Sequence, residues 1–86
     1  MGEYDMAIPF LKKAISINPD SSMALLALAI CYAGVGKGEE ANSCITRVLE
    51  INPTMTIGKY ITGMPKKDKV LLKDFAELLH KAGLPD

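Results

Sequence analysis

The feature that most constrains this chain is an internal repeat with a period of 34 residues. The tripeptide Ile-Asn-Pro occupies residues 17–19 and again residues 51–53. The same shift places Gly2 on Gly36, Ala7 on Ala41, and five further pairs of similar residues in one unbroken register. Self-similarity at a period of 20–50 residues indicates stacked supersecondary units, and 34 residues fit one helix–turn–helix unit. The chain is therefore expected to be all-α.

Local signals predict two helices inside the complete repeat. Residues 23–33 are rich in Ala and Leu and apolar on every side, as in a helix that neighbours bury on more than one face. A polar side chain just before them can cap the helix: Asp20, Ser21 or Ser22. Glycines then predict a tight turn, and a second helix is expected over residues 39–51. Pro53 stops it, because the residue before a proline avoids the helical conformation.

The segments on either side predict three more helices. Residues 4–17 form the first, with Pro9 about one turn inside, which predicts either a kink or a later start near Pro9. A short helix is expected over residues 57–62, with Thr54 or Thr56 as its cap. An amphipathic helix is expected over 67–82, with Gly83 as its terminating residue. The last helix is expected to cap the open end of the stack.

The residues at the packing positions resemble those of the tetratricopeptide repeat family. In the complete repeat they are Leu25, Leu28, Ala29, Tyr32, Gly36, Ala41 and Pro53, and in the preceding half repeat Tyr4, Ala7, Ala14 and Pro19. The resemblance implies an antiparallel helix–turn–helix solenoid fragment of about one and a half repeats. Its expected organisation is one domain over 1–86: the second half of a repeat (1–21), a full repeat (22–55) and an atypical C-terminal cap (56–86).

The family resemblance implies a binding function rather than catalysis. Members bind peptides on the surface lined by the first helix of each repeat, which maps here to Met23, Leu26, Ala27, Ile30 and Ala33. None of these is the Lys, Asn or Arg with which some members grip a partner's C-terminal carboxylate. An apolar lining instead suits an amphipathic helix. Alternatively, the same helix mediates self-association, either directly or by exchange of helices between chains.

The C-terminal segment carries a second resemblance. Its ending, Lys-Ala-Gly-Leu-Pro-Asp at residues 81–86, is similar to that of bacterial class III adenylate cyclases that carry tetratricopeptide repeats. This resemblance implies the C-terminal region of a larger bacterial signalling protein. The chain has no strand pattern for a cyclase domain and starts in mid-repeat, as expected of a C-terminal piece. A peptide-binding adaptor unrelated to a cyclase is the alternative.

Charge and composition argue against nucleic-acid and membrane partners. Ten basic and ten acidic residues give no net charge, whereas general nucleic-acid binding needs a basic excess. The longest apolar run, residues 23–35, is too short to span a bilayer, and no signal peptide is evident. A cytoplasmic location is expected. A local group of lysines is interpreted as a solvated face or, alternatively, as a contact for an acidic partner: Lys66, Lys67, Lys69 and Lys73.

The residues that could carry chemistry do not form a site. Cys31 and Cys44 are expected to be buried thiols, with neither a disulfide nor a metal. His80, the single histidine, is expected to be solvated near a helix C-terminus. Residues 34–38 superficially resemble a phosphate-binding loop, but the first glycine, the Ser/Thr and the preceding strand are all missing. No catalytic set, cofactor or metal is therefore expected.

Overall fold

The computed structural model describes residues 4–62 and 69–85. Within these residues the chain forms five helices and no strand: α1 (Tyr4–Ile17), α2 (Ser22–Gly34), α3 (Gly38–Ile51), α4 (Ile57–Thr62) and α5 (Lys69–Ala82). The all-α prediction is confirmed. The alternative start of the first helix near Pro9 is wrong, because α1 begins at Tyr4 and runs through Pro9. The two residues predicted to precede α5 as helix, 67 and 68, lie outside the described part.

Short polar side chains start two of the helices, as the sequence predicts. Ser21 is the N-cap of α2, and its hydroxyl accepts a hydrogen bond from the backbone N–H of Ala24 at 3.3 Å. Thr56 does the same for α4, accepting from the N–H of Lys59 at 3.2 Å. Each hydroxyl satisfies one of the backbone donors that the first turn of a helix leaves without a partner.

Glycine ends both α2 and α5 in the same way. Gly36 and Gly83 have φ of 83° and 106°, the left-handed region in which a Cβ is strained. After α2, the N–H of Lys37 donates to the carbonyl of Tyr32 at 2.8 Å; after α5, the N–H of Leu84 donates to that of Leu79 at 3.1 Å. This is the Schellman arrangement, which satisfies terminal carbonyls and reverses the chain.

The centre of the structure is α2, which packs against three other helices. It contacts α1 on one side, α3 on another and α5 on a third, while α4 packs on α5. This surrounds a helix that is apolar on every side, as its sequence requires. One cluster of buried side chains joins α2, α3, α4, α5 and the segment after α5; the largest of its fully buried members are Leu26, Val48, Ile45, Leu79 and Leu84.

One hydrogen bond attaches the C-terminal segment to the repeat, and a second one joins the two ends of that segment. The side-chain amide of Asn42 in α3 donates to the carbonyl of Ala82 at the end of α5, at 2.9 Å. The N–H of Ile57, the first residue of α4, donates to the carbonyl of Pro85 at 2.8 Å. Together with the burial of Leu79 and Leu84, these bonds fix α5 across α2 and α3.

Candidate interaction surface

The residues predicted to line a groove on α2 have very different environments. Met23 is 57% exposed and Ala27 and Ala33 are half-buried, whereas Leu26 and Ile30 are 0% and 3% exposed. A partner could touch Leu26 or Ile30 only after a covering helix had moved away. The structure thus leaves the two largest branched members of the set in the core. That the five residues bind a partner stays a prediction.

The burial of α2 follows from the position of α5. A helix that is apolar on every side exposes apolar surface to water unless a neighbour packs on each side. Here α1 and α3 cover two sides and α5 covers a third. The sequence predicts α5 as an end cap, but it does not specify on which face of α2 the cap lies.

Most of the exposed large apolar side chains in the described part of the chain lie on α1. Met6, Phe10 and Ile17 are 67%, 76% and 77% exposed. Their spacing of four and seven residues places them on one face of a helix, and we call this set the α1 stripe. The opposite face of α1 packs on the core through partly buried side chains: Tyr4, Ile8, Leu11 and Ile15. Large apolar side chains grouped on one face are typical of an interaction surface.

The internal repeat shows which face of α1 is uncovered. The 34-residue shift relates α1 to α3, so each residue of the outer face of α1 has a counterpart in α3. The counterparts that matter are Cys44 for Phe10, Val48 for Ala14 and Ile51 for Ile17. In α3 the first two are buried and the third is half-buried, whereas all three residues of α1 are exposed.

The difference arises from the number of neighbouring helices. In the chain α3 has α2 before it and α5 after it, and it packs on both. Among the described elements α1 packs only on α2, the helix that follows it. Phe10 and Ile17 of the α1 stripe therefore lie on a face of the repeat that in α3 is covered by a neighbour, whereas Glu40, the counterpart of Met6, is exposed in α3.

Comparison with protein families identifies the repeat. A family model described as "Tetratricopeptide repeat" matches residues 1–55, which is more than half of the chain. The chain belongs to the tetratricopeptide repeat family. No curated protein and no solved structure matches it significantly. The resemblance of the C-terminal segment to adenylate cyclases gains no support from these comparisons.

The tetratricopeptide positions divide into a buried and an exposed group. In the complete repeat the structure buries Leu25, Leu28, Ala29, Tyr32 and Ala41, and Gly36 makes the turn between the two helices. In the half repeat Tyr4 and Ala7 are half-buried and Ala14 is exposed, in keeping with the uncovered face of α1. Pro19 and Pro53 are exposed just after their helices end.

The outer face of α5 differs in character from the α1 stripe. From residue 73 onward, where the side chains of α5 are described, its exposed residues are polar or charged: Lys73, Asp74, Glu77, His80 and Lys81. An open depression of about 380 Å³ is lined by residues of α4 and α5, among them Ile57 and Ala76. Of the lysines predicted as one face, Lys66, Lys67 and the side chain of Lys69 lie outside the described part.

The two cysteine side chains are buried, as the sequence predicts. Cys31 and Cys44 are buried and not disulfide-bonded. Burial raises the pKa of both thiols, and the nearby charge of Lys12 opposes that rise at Cys44. Burial also raises the pKa of Tyr60. A thiol held in its neutral form is a poor nucleophile.

Neither a metal site nor a phosphate site is found in residues 4–62 and 69–85. No group of three or more His, Cys, Asp or Glu side chains there could hold a metal ion. The glycine-rich turn 34–38 uses its backbone donors internally, because the N–H groups of Val35, Gly36 and Lys37 bond to carbonyls of α2. None of the described helices has the length and apolar character that crossing a bilayer requires.

Sequence reasoning missed the α1 stripe. It treated residues 4–17 as a packing helix and sought the binding surface on α2. The repeat register contained the signal. It aligns the large Phe10 with Cys44, and so places Phe10 on the face that is covered in α3. The number of covering helices, which decides whether that face is exposed, required the structure.

Proposed function

We propose that this chain is a non-catalytic protein-interaction module in which the α1 stripe binds an apolar helix of a protein partner. Repeats of this family typically serve as protein-interaction modules. The observation that carries the proposal is the exposure of Phe10 and Ile17, whose counterparts in α3 are buried and half-buried, with the exposed Met6 beside them. A shallow apolar helix face is complementary to a second amphipathic helix, which would anchor at intervals of three, four and seven residues.

The chemistry of the partner follows from what covers α3. The neighbour that precedes α3 is α2, an Ala- and Leu-rich helix that packs closely because its side chains are small or aliphatic. A partner helix of that character fits α1, and a charged helix does not, because its charges would lose water without gaining a partner. We therefore expect Ala- and Leu-rich amphipathic helices to bind more tightly than charged ones.

Binding can be measured with a labelled peptide. A suitable probe has the sequence of residues 20–36, with lysines added at both ends for solubility, and its fluorescence anisotropy reports binding to the folded chain. Phe10→Glu should weaken binding at least tenfold, because aromatic anchors dominate such contacts. Ser16→Glu places the same charge on an exposed position of α1 off the stripe, and should change affinity less than twofold.

The same assay distinguishes the α2 groove from the α1 stripe. Met23 is the exposed member of the residues predicted to line that groove. If Met23→Glu abolishes binding and Phe10→Glu does not, the partner binds on α2 and the proposed site is wrong. If neither change matters, the probe binds elsewhere and the proposed function loses its basis.

Two wider proposals concern the setting of the module. A cytoplasmic location is supported by the two buried, unpaired cysteines, since such thiols persist in reducing compartments. Membership in a larger signalling protein such as an adenylate cyclase rests only on the similarity of residues 81–86.

A further inference from the structure

We propose that the depression lined by α4 and α5 is a second protein-binding site, which takes a helix carrying one large apolar side chain between two carboxylates. The site lies on other helices than the α1 stripe and does not depend on what covers that stripe. One residue of α4 and five residues of α5 line it: Ile57, Lys73, Ala76, Glu77, His80 and Lys81.

The apolar part of the lining can receive one side chain of a partner. Ile57 is a core residue, and the half-buried Ala76 packs against the same core. Helical spacing places Lys73 and His80 beside Ala76 on α5, so a single methyl group stands between two long side chains. The resulting depression of about 380 Å³ is open. Small-molecule sites enclose most of their ligand, whereas an open site of this size suits a side chain that projects from a protein.

Two lysines lie on either side of this apolar part along α5. Lys73 and Lys81 are eight residues apart, which is about 12 Å along a helix, with Ala76 and Glu77 near the middle. Both lysines are exposed, and within the described part of the chain neither forms an ion pair. Glu77 supplies one negative charge against their two positive charges. Each end of the depression therefore attracts a carboxylate.

The spacing of these groups specifies the partner. If a helix lies along α5 with a large apolar residue at Ala76, its residues four before and four after lie about 6 Å to either side. Glutamates at those two positions come within reach of Lys73 and Lys81. Glu77 repels a carboxylate in the middle, so a uniformly acidic segment fits less well than one whose charges are separated. Exposed ion pairs contribute little each, and we expect a dissociation constant on the order of 0.5 mM that rises with salt.

A peptide titration followed by backbone amide NMR of the folded chain tests the proposal. The probe is a helical peptide rich in Ala and Gln, with Leu at its centre and Glu four residues before and after it. The amide shifts should saturate and cluster on residues 73–81. Replacing the central Leu of the peptide with Ala should weaken binding at least fivefold, because the apolar anchor is lost. Replacing both glutamates with Lys should weaken it as much.

Variants of the chain test each part of the site. Lys73→Ala and Lys81→Ala should each weaken binding about threefold at low salt, and the double change about tenfold. Lys13→Ala removes the same charge from an exposed position of α1 and should change the affinity less than 1.5-fold. Ala76→Leu fills the depression and should weaken binding at least fivefold. Circular dichroism verifies that each variant is folded.

The other outcomes contradict the proposal. Shifts that do not saturate, or lysine changes on α5 without effect, would overturn it. Shifts on α1 that Lys13→Ala abolishes would mean that the peptide uses the α1 stripe instead. Equal affinity for an oligoglutamate peptide would reduce the site to unspecific charge attraction. Phe10→Glu should leave the affinity for this probe within twofold, so that the two binding sites can fail independently.

Discussion

Replacing single glycines with alanine tests how the C-terminal segment is attached, because three positions predict three different results. Gly38 begins α3, has an ordinary φ and leaves open space for a Cβ. Gly36 has a φ of 83° and equally open space. Gly83 has a φ of 106°, and a Cβ there would lie 2.8 Å from the Asn42 amide nitrogen. Only the last position combines backbone strain with a collision.

The expected changes in the free energy of unfolding follow from the surroundings of each glycine. Gly38→Ala should stabilise the fold by about 0.5 kcal/mol, because alanine restricts the unfolded chain and favours a helix. Gly36→Ala should cost about 1 kcal/mol, the penalty of a left-handed conformation. Gly83→Ala should cost about 2 kcal/mol, because it also displaces Asn42 from the carbonyl of Ala82, a hydrogen bond that contributes about 1 kcal/mol.

Urea unfolding followed by circular dichroism gives these differences, at protein concentrations low enough to keep the chain monomeric. A second comparison isolates the contact: with Asn42→Ala already present, Gly83→Ala should cost no more than Gly36→Ala. Equal costs for Gly36→Ala and Gly83→Ala in the otherwise wild-type chain would refute the reasoning. They would mean that the contact between α3 and the end of α5 contributes nothing to stability.

Three further predictions concern the core. Leu79→Ala should destabilise the fold by about 3 kcal/mol because Leu79 is fully buried, and Leu78→Ala, at a half-buried position, by less; equal losses in urea unfolding would contradict the packing of α5. Burial raises the pKa of Cys31, Cys44 and Tyr60 above their unfolded values, so the stability that these groups contribute is complete below about pH 8.5 and falls as pH rises. Replacing both cysteines with alanine should reduce the loss of stability between about pH 8 and pH 10. If the loss of stability is unchanged, it comes from other titrating groups. Both thiols should react slowly with a thiol reagent until urea unfolds the chain, and fast labelling of the native protein would show that they are accessible.

The fold was predictable from sequence to the extent that local chemistry determines it. The bounds of α1 and α4, the Ser21 and Thr56 caps and the Gly83 terminus all depend on residues within a few positions of one another. Such signals are visible in a single chain because they act through the backbone of the same turn. The period of 34 residues extended this local information to the packing of neighbouring helices.

The interaction surface was not predictable in the same way. Both α1 and α2 are apolar on more than one face, and periodicity does not reveal which face receives a neighbour. Leu26 and Ile30 became core residues because α1, α3 and α5 all pack on α2, while Phe10 and Ile17 stayed exposed because, among the described elements, only α2 packs on α1. Burial here depends on contacts between elements that are distant in the sequence.

The most direct test of the account maps the contact surface itself. Backbone amide NMR spectra of the folded chain, recorded as the helical peptide of residues 20–36 is added, report which residues change environment on binding. The account predicts shifts that cluster on α1 around Met6, Phe10 and Ile17 and are absent from the outer face of α5. Shifts centred on α5, or on Met23 and the rest of α2 with α1 unchanged, would contradict it.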